Sequence, residues 1–211
     1  MTSIPNAGQS AIIEDLAAVI VANKAWLSEI DGKIGDGDHG SNMAKGFGRT
    51  AERIHGQNMS FDAAMMVLSD VLMGEIGGSM GPLYGMMFED MATAIKGRDR
   101  IDGTAFSAML NAGLKGVQAI GNAKVGDKTL IDTLVPAIAT FDASLSQGFD
   151  VALRAMEAAA ETGRDSTIDL VAKIGRSARL GERSRGVLDA GATSCCLILT
   201  SLSQSFRQRL T

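Results

Sequence analysis

Between residues 31 and 42 the chain reads Asp31-Gly32-Lys33-Ile34-Gly35-Asp36-Gly37-Asp38-His39-Gly40-Ser41-Asn42. Three carboxylates crowd into one glycine-rich turn, where they repel one another and where the glycines add chain entropy that folding must remove. Such a cluster makes physical sense around a hard cation that takes oxygen ligands. Magnesium in particular keeps several waters and shares its remaining positions with phosphate oxygens. The turn leads into a predicted helix, whose free N–H groups and dipole favour a phosphate. It lacks the EF-hand pattern, because no Glu occupies its twelfth position. Asp and Gly are also the commonest turn residues, so spacing alone leaves a metal site and a solvated turn equally open. His39 by itself reads as a cap or a satisfied polar contact.

Three further segments stand out, two of which could meet an anion. In Gly77-Gly78-Ser79-Met80-Gly81-Pro82 consecutive glycines allow backbone N–H groups to converge, and Ser79 adds a hydroxyl; the alternative is a plain helix–helix turn. Gly126-Asp127-Lys128-Thr129 reads as a helix start with Thr129 as cap. The run Gly175-Arg176-Ser177-Ala178-Arg179-Leu180-Gly181-Glu182-Arg183-Ser184 is arginine-rich. Charge runs are usually solvated, yet Arg is a natural partner of phosphate.

Helices must position these segments, since apolar residues recur at helical spacing almost everywhere and no period-2 run is evident. A first helix is predicted from about Ser10 to Ile30, on Ile13, Leu16, Ala17, Ile20 and Leu27. Met43, Phe47, Ala51 and Ile54 mark a second, which Gly56 ends, and Ser60 caps a third that carries Met65, Leu68, Leu72 and Ile76. A methionine-rich fourth runs from about Leu83 to Ile95, and Asp102 caps a fifth that reaches Ile120. The sixth covers about Leu130 to Phe141, with Pro136 near its first turn or kinking it. Phe149, Leu153, Met156 and Ala160 define the seventh, and about Gly191 to Arg207 the eighth. One long polar connection, about Gly163 to Asp189, remains, and a segment of that length is often functional. The predicted fold class is all-α, a bundle or barrel of eight helices.

The 211 residues suit one domain with a core of its own. A net charge of −4 argues against a nucleic-acid surface. Cys195 and Cys196 are adjacent in an apolar run and read as reduced core thiols, as in cytosol. The start MTSIPNAGQS has no signal-peptide pattern, and no apolar stretch reaches the ~18 residues of a membrane span, so a cytoplasmic location is expected.

Taken singly these segments are weak, but their order is specific. Ile34-Gly-Asp-Gly-Asp-His-Gly40, Gly77-Gly78 with Gly81-Pro-Leu-Tyr-Gly85, Gly126-Asp-Lys-Thr129, Leu180-Gly-Glu-Arg-Ser184, and Asp189 with Gly191-Ala-Thr-Ser194 together resemble the successive signatures of the dihydroxyacetone kinase L-subunit family. The resemblance covers roughly Leu27 to Ser194. It implies an eight-helix antiparallel barrel with ADP or ATP at one mouth. By that resemblance Asp31, Asp36 and Asp38 hold two magnesium ions that bridge the phosphates. His39, Gly40, Ser41 and Asn42 contact the nucleotide, as do Ser79 and Met80. Gly121, Leu130, Arg176 and Asp189-Ala190-Gly191 complete the pocket, with Leu130 against the adenine.

The resemblance further implies phosphoryl transfer to dihydroxyacetone or a related triose or tetrose ketone held by a separate K subunit. ATP or a phosphotransferase-system M subunit supplies the phosphate, and a homodimer is left open. No residue of this chain need act as a nucleophile, because positioning and charge neutralisation carry phosphoryl transfer. Two departures stand out: Met80 replaces a small hydroxyl residue of the family's phosphate loop, and Ala190 replaces the proline of an Asp-Pro-Gly segment. Met80 therefore also suits an alternative, a nucleotide-binding regulatory module without turnover.

Overall fold

A computed structural model describes residues 2–211. Nine α-helices lie among the described residues: α1 (Ala11–Ala22), α2 (Lys24–Ile34), α3 (His39–Ile54), α4 (Phe61–Glu75), α5 (Met80–Ile95), α6 (Gly103–Ile120), α7 (Ile131–Ser144), α8 (Phe149–Ser166) and α9 (Ala190–Arg209). The stretch predicted as one helix over residues 10–30 is two, because Asn23 leaves helical geometry and its side-chain amide donates to the Val19 carbonyl at 2.8 Å. An Asn side chain that satisfies a last-turn carbonyl competes with continuation of the helix. The apolar spacing hid the break because Leu27 resumes the stripe on the far side.

Two three-residue strands that the sequence reading missed, β1 (Ser3–Pro5) and β2 (Arg100–Asp102), pair antiparallel with Ile4 opposite Ile101. Three residues are too few to display a period of two. The long connection is shorter than expected: α8 continues to Ser166, and 3₁₀ turns cover Thr167–Asp169 and Ser177–Ser184. Pro136 sits inside α7 rather than in its first turn. Among the described residues no helix is long and apolar enough to cross a membrane.

The helices close on themselves. Going round, α1 packs on α3, then each of α4 to α9 packs on its predecessor, and α9 returns to α1. The ring thus holds eight helices as expected, and the ninth, α2, lies against α3 and α9. Side-chain caps start three ring helices: Ser60, Asp102 and Asp189 accept from the N–H groups of Ala63, Ala105 and Ala192. Each such cap contributes about 1 kcal/mol.

Contacts fix the direction of the helices. Phe61, Phe106 and Phe149 begin α4, α6 and α8, whereas Phe141 and Phe206 end α7 and α9. These five rings cluster with centroid separations of 4.7 to 6.1 Å, mostly edge-on, the arrangement that aromatic quadrupoles favour. One end of the ring is therefore a packed aromatic plug. The N-termini of α3, α5, α7 and α9 meet at the opposite end, through the contacts described next.

Candidate functional site

The aspartate turn is built by two helices approaching closely. Asp31 lies in the last turn of α2, Asp36 and Asp38 lie in the short connection, and His39 opens α3. The chain can turn this sharply because Gly37 takes a φ of 77°, which other residues reach only with strain. Gly40 lets α3 touch α2: a Cβ there would fall 2.1 Å from the Lys24 carbonyl oxygen. One oxygen from each of Asp31, Asp36 and Asp38 lies within 4.8 Å of the others, with Asp31 half-buried and the other two exposed. The His39 N–H donates to Asp31 Oδ2 at 3.3 Å and orients that carboxylate.

A polar chain ties this turn to two other helix starts. His39 Nε2 pairs with Ser194 Oγ at 2.9 Å. Burial holds the imidazole below its usual pKa despite the opposing charge of Asp31, so the ring is neutral at pH 7. Ser194 Oγ also meets the Tyr84 hydroxyl at 2.7 Å, and that hydroxyl donates to the Gly191 carbonyl at 3.0 Å. His39 begins α3, Tyr84 lies in the first turns of α5, and Gly191 and Ser194 lie in the first turns of α9. Leu130 immediately precedes α7 and packs beside Gly191, where a Cβ would lie 3.4 Å from the Leu130 nitrogen. Four helix N-termini and their positive dipole ends therefore gather at the end of the ring that carries the carboxylate turn.

The arginine-rich connection also reaches the site. The Arg176 guanidinium is in ion-pair contact with Asp36, although both side chains keep substantial exposure. Arg179 and Arg183 point outward. Met80 is buried at the start of α5, so its side chain packs into the core. Ser79 is the N-cap residue of α5 but makes no side-chain cap bond. Gly121 ends α6 beside Leu83 of α5. Ser41 and Asn42 lie in the first turn of α3, where the Asn42 N–H donates to the Asp38 carbonyl. No side-chain hydrogen bond or ion pair joins Ser79, Met80 or Gly121 to the aspartates among the described residues. Thr129 caps this helix start as expected: Thr129 Oγ1 accepts from the Ile131 N–H and Asp132 reaches back to the Thr129 N–H, with Leu130 between them already in helical geometry.

The sequence reading did not single out Tyr84 or Ser194 as site residues. Tyr84 is the chain's only tyrosine and is fully buried. A lone buried phenol must find hydrogen-bond partners, which is the one signal that could have found it.

Asp189 is the other titratable group at this end. Burial, opposed by the Ala192 N–H and Lys128 and assisted by Asp132 and Asp31, pushes its carboxyl up to about 7. A folded-state pKa above the unfolded value of ~3.9 means that folding favours the protonated form, so this contribution is complete below about pH 4 and lost as pH rises through about 7. Asp189→Asn, which keeps a capping oxygen, is expected to gain stability relative to wild type as pH rises from about 4 to 8. Thermal melts across that range check it, and a constant difference between the two proteins would contradict it.

The fold and site define a closed ring of helices that presents a hard-oxygen cluster beside convergent helix N-termini. A family model described as the DAK2 domain matches residues 33–204, and the chain belongs to that family. It is 34% identical over 186 residues to the PEP-dependent dihydroxyacetone kinase, ADP-binding subunit DhaL, of Escherichia coli (strain K12), covering 87% of this chain and 89% of that one. It is 36% identical over 185 residues to the PTS-dependent dihydroxyacetone kinase, ADP-binding subunit DhaL, of Lactococcus lactis subsp. lactis (strain IL1403), covering 87% and 88%. The structure resembles the crystal structure of the dihydroxyacetone kinase from C. freundii in complex with AMP-PNP and Mg2+, with a TM-score of 0.72, 26% identity and 93% of this chain covered. The chain spans 33% of that longer kinase.

Proposed function

We propose that this chain is the ADP- or ATP-binding, phosphoryl-transferring subunit of a kinase for dihydroxyacetone or a related small ketone. The carrying observation is the convergence of three carboxylates and four helix N-termini at one end of the ring. Carboxylates alone repel a phosphate and helix N-termini alone repel a cation, so a magnesium–polyphosphate is the ligand that satisfies both.

The donor set fits that metal. All three groups are hard oxygen donors, and one oxygen of each already lies within 4.8 Å of the others, a spread that ligation at ~2.1 Å can draw together. Asp31, Asp36 and Asp38 would hold one or two ions, which neutralise charge on the phosphates and on the group in flight. The N–H groups at the starts of α3 and α5, including those of His39 to Asn42 and of Ser79 and Met80, would bind phosphate oxygens. Leu130, Gly121 and Asp189-Ala190-Gly191 would line the nucleoside side. Arg176 would exchange Asp36 for a phosphate, since its bidentate fork suits either partner.

A separate K subunit would hold the ketone, and either ATP or an M subunit would renew the phosphate. The regulatory alternative keeps one observation in its favour, the buried Met80 at a position where a hydroxyl would donate to phosphate.

Calorimetric titration of the purified protein with ADP and ATP, with and without magnesium, tests the proposal. Binding that requires magnesium is expected, and ligand at about 100 times its Kd should stabilise the fold by about 2.7 kcal/mol. Folded, nucleotide-free protein that binds neither nucleotide would overturn the reading. Binding without turnover in the presence of a cognate K subunit and phosphate donor would select the regulatory module.

A further inference from the structure

Lys128 breaks two local rules at once. It is a non-glycine residue with a φ of 64°, and it is 1% exposed. Lysine is rarely fully buried without a carboxylate partner, and none pairs with it among the described residues. Its ammonium donates instead to two main-chain carbonyls, those of Thr167 and Val187. A backbone strained in the left-handed region and a buried charge both oppose folding locally. Departures of this kind concentrate where a site must be held in place.

The connections of Lys128 show what is held. Along the chain it is two residues from Leu130, which packs against Gly191. Through its ammonium it grips residue 187, two positions before Asp189, and residue 167, whose hydroxyl accepts from the Asp189 N–H at 3.0 Å. Burial lowers the pKa of the ammonium, with the charge of Asp189 opposing that shift. One side chain thus joins the start of α7, the end of α8 and the start of α9.

We propose that Lys128 is a positioning residue that braces the segment leading to Leu130 against Asp189-Ala190-Gly191, and so sets the width of the nucleoside side of the pocket. This rests on the nucleotide-binding reading given above. The brace stands apart from the aspartate turn and touches none of its three carboxylates. It therefore acts first on the base and ribose, and reaches the magnesium–phosphate end only at second hand, through the Gly191–Tyr84–Ser194–His39 chain.

Lys128→Met keeps the bulk and removes the two donated hydrogen bonds. The test titrates magnesium–ADP and magnesium–pyrophosphate into wild type and variant, with far-UV circular dichroism as the fold check. The expected result is a split: the ADP Kd rises about tenfold or more while the pyrophosphate Kd stays within about twofold. Equal losses for both ligands would make Lys128 a general structural residue and overturn the proposal, as would no loss for either. Wild type that binds pyrophosphate but not ADP, or neither, would overturn the nucleotide reading itself and the brace with it. If Lys128→Met fails to fold, Lys128→Gln decides by the same pair of titrations, because its shorter amide keeps a donor but cannot reach both carbonyls. A smaller split in the same direction supports the brace, and its absence overturns it.

Discussion

Asp31→Asn is expected to weaken magnesium–ADP binding by about 100-fold or more, equivalent to about 2.7 kcal/mol, while leaving the helical fold intact. Asparagine keeps an oxygen that can accept from the His39 N–H, so the start of α3 stays anchored. The charge that a hard cation requires is lost. Stability should not fall with it. Like charges within 4.8 Å of one another repel, by about 1 kcal/mol in water, and removing one relieves that repulsion. For a chain of this size such relief raises Tm by a few degrees, at about 2–4 °C per kcal/mol. Calorimetric titration and a thermal melt on the same sample separate the two effects. Retained tight binding would show that Asp31 does not ligate the metal, and a fall in Tm would make it a structural capping residue.

The choice of Asp31 over Asp36 follows from Arg176. Asp36 already has a cationic partner from the α8–α9 connection, so its replacement would free an arginine as well as remove a ligand. Asp31 has no such partner among the described residues, and the result reads on the cluster alone.

How much of this was legible beforehand depends on sequence distance. The aspartate turn was readable because its three carboxylates fall within eight residues, and the helix starts at Ser60 and Asp102 were readable from capping chemistry. The alternation of the ring follows from the short connections that join most of its helices. Contacts between distant residues were not readable. His39 meets Ser194 across 155 positions and Tyr84 meets the same serine across 110, and no local pattern encodes either. The same distance hid the Arg176–Asp36 pair. Lys128 was silent for the same reason, since the two carbonyls that receive its ammonium lie 39 and 59 positions away. Asn23 lacked a breaker signature because an apolar stripe ran through it.

Gly40→Ala should damage both the fold and the metal site, and that joint loss distinguishes it from Asp31→Asn. The new methyl group would lie 2.1 Å from the Lys24 carbonyl oxygen and 2.6 Å from the Ser28 nitrogen. Both are main-chain atoms of α2, so no side-chain rotation can relieve the clash and the two helices must move apart. Overpacking of that kind costs about 3 kcal/mol, which lowers Tm by about 6–12 °C in a chain of this length. The same displacement draws Asp31, at the end of α2, away from Asp36, Asp38 and the His39 N–H, which are fixed to the start of α3. Magnesium–ADP affinity should therefore fall even below the melting range. Gly77→Ala is the matched control, because a Cβ there meets open space and its φ lies outside the left-handed region. Its Tm should stay within about 2 °C of wild type. A Gly40→Ala protein as stable as this control would mean that α2 is held loosely against α3. The carboxylate cluster would then owe its geometry to the Gly35–Asp38 connection and not to the helix pair.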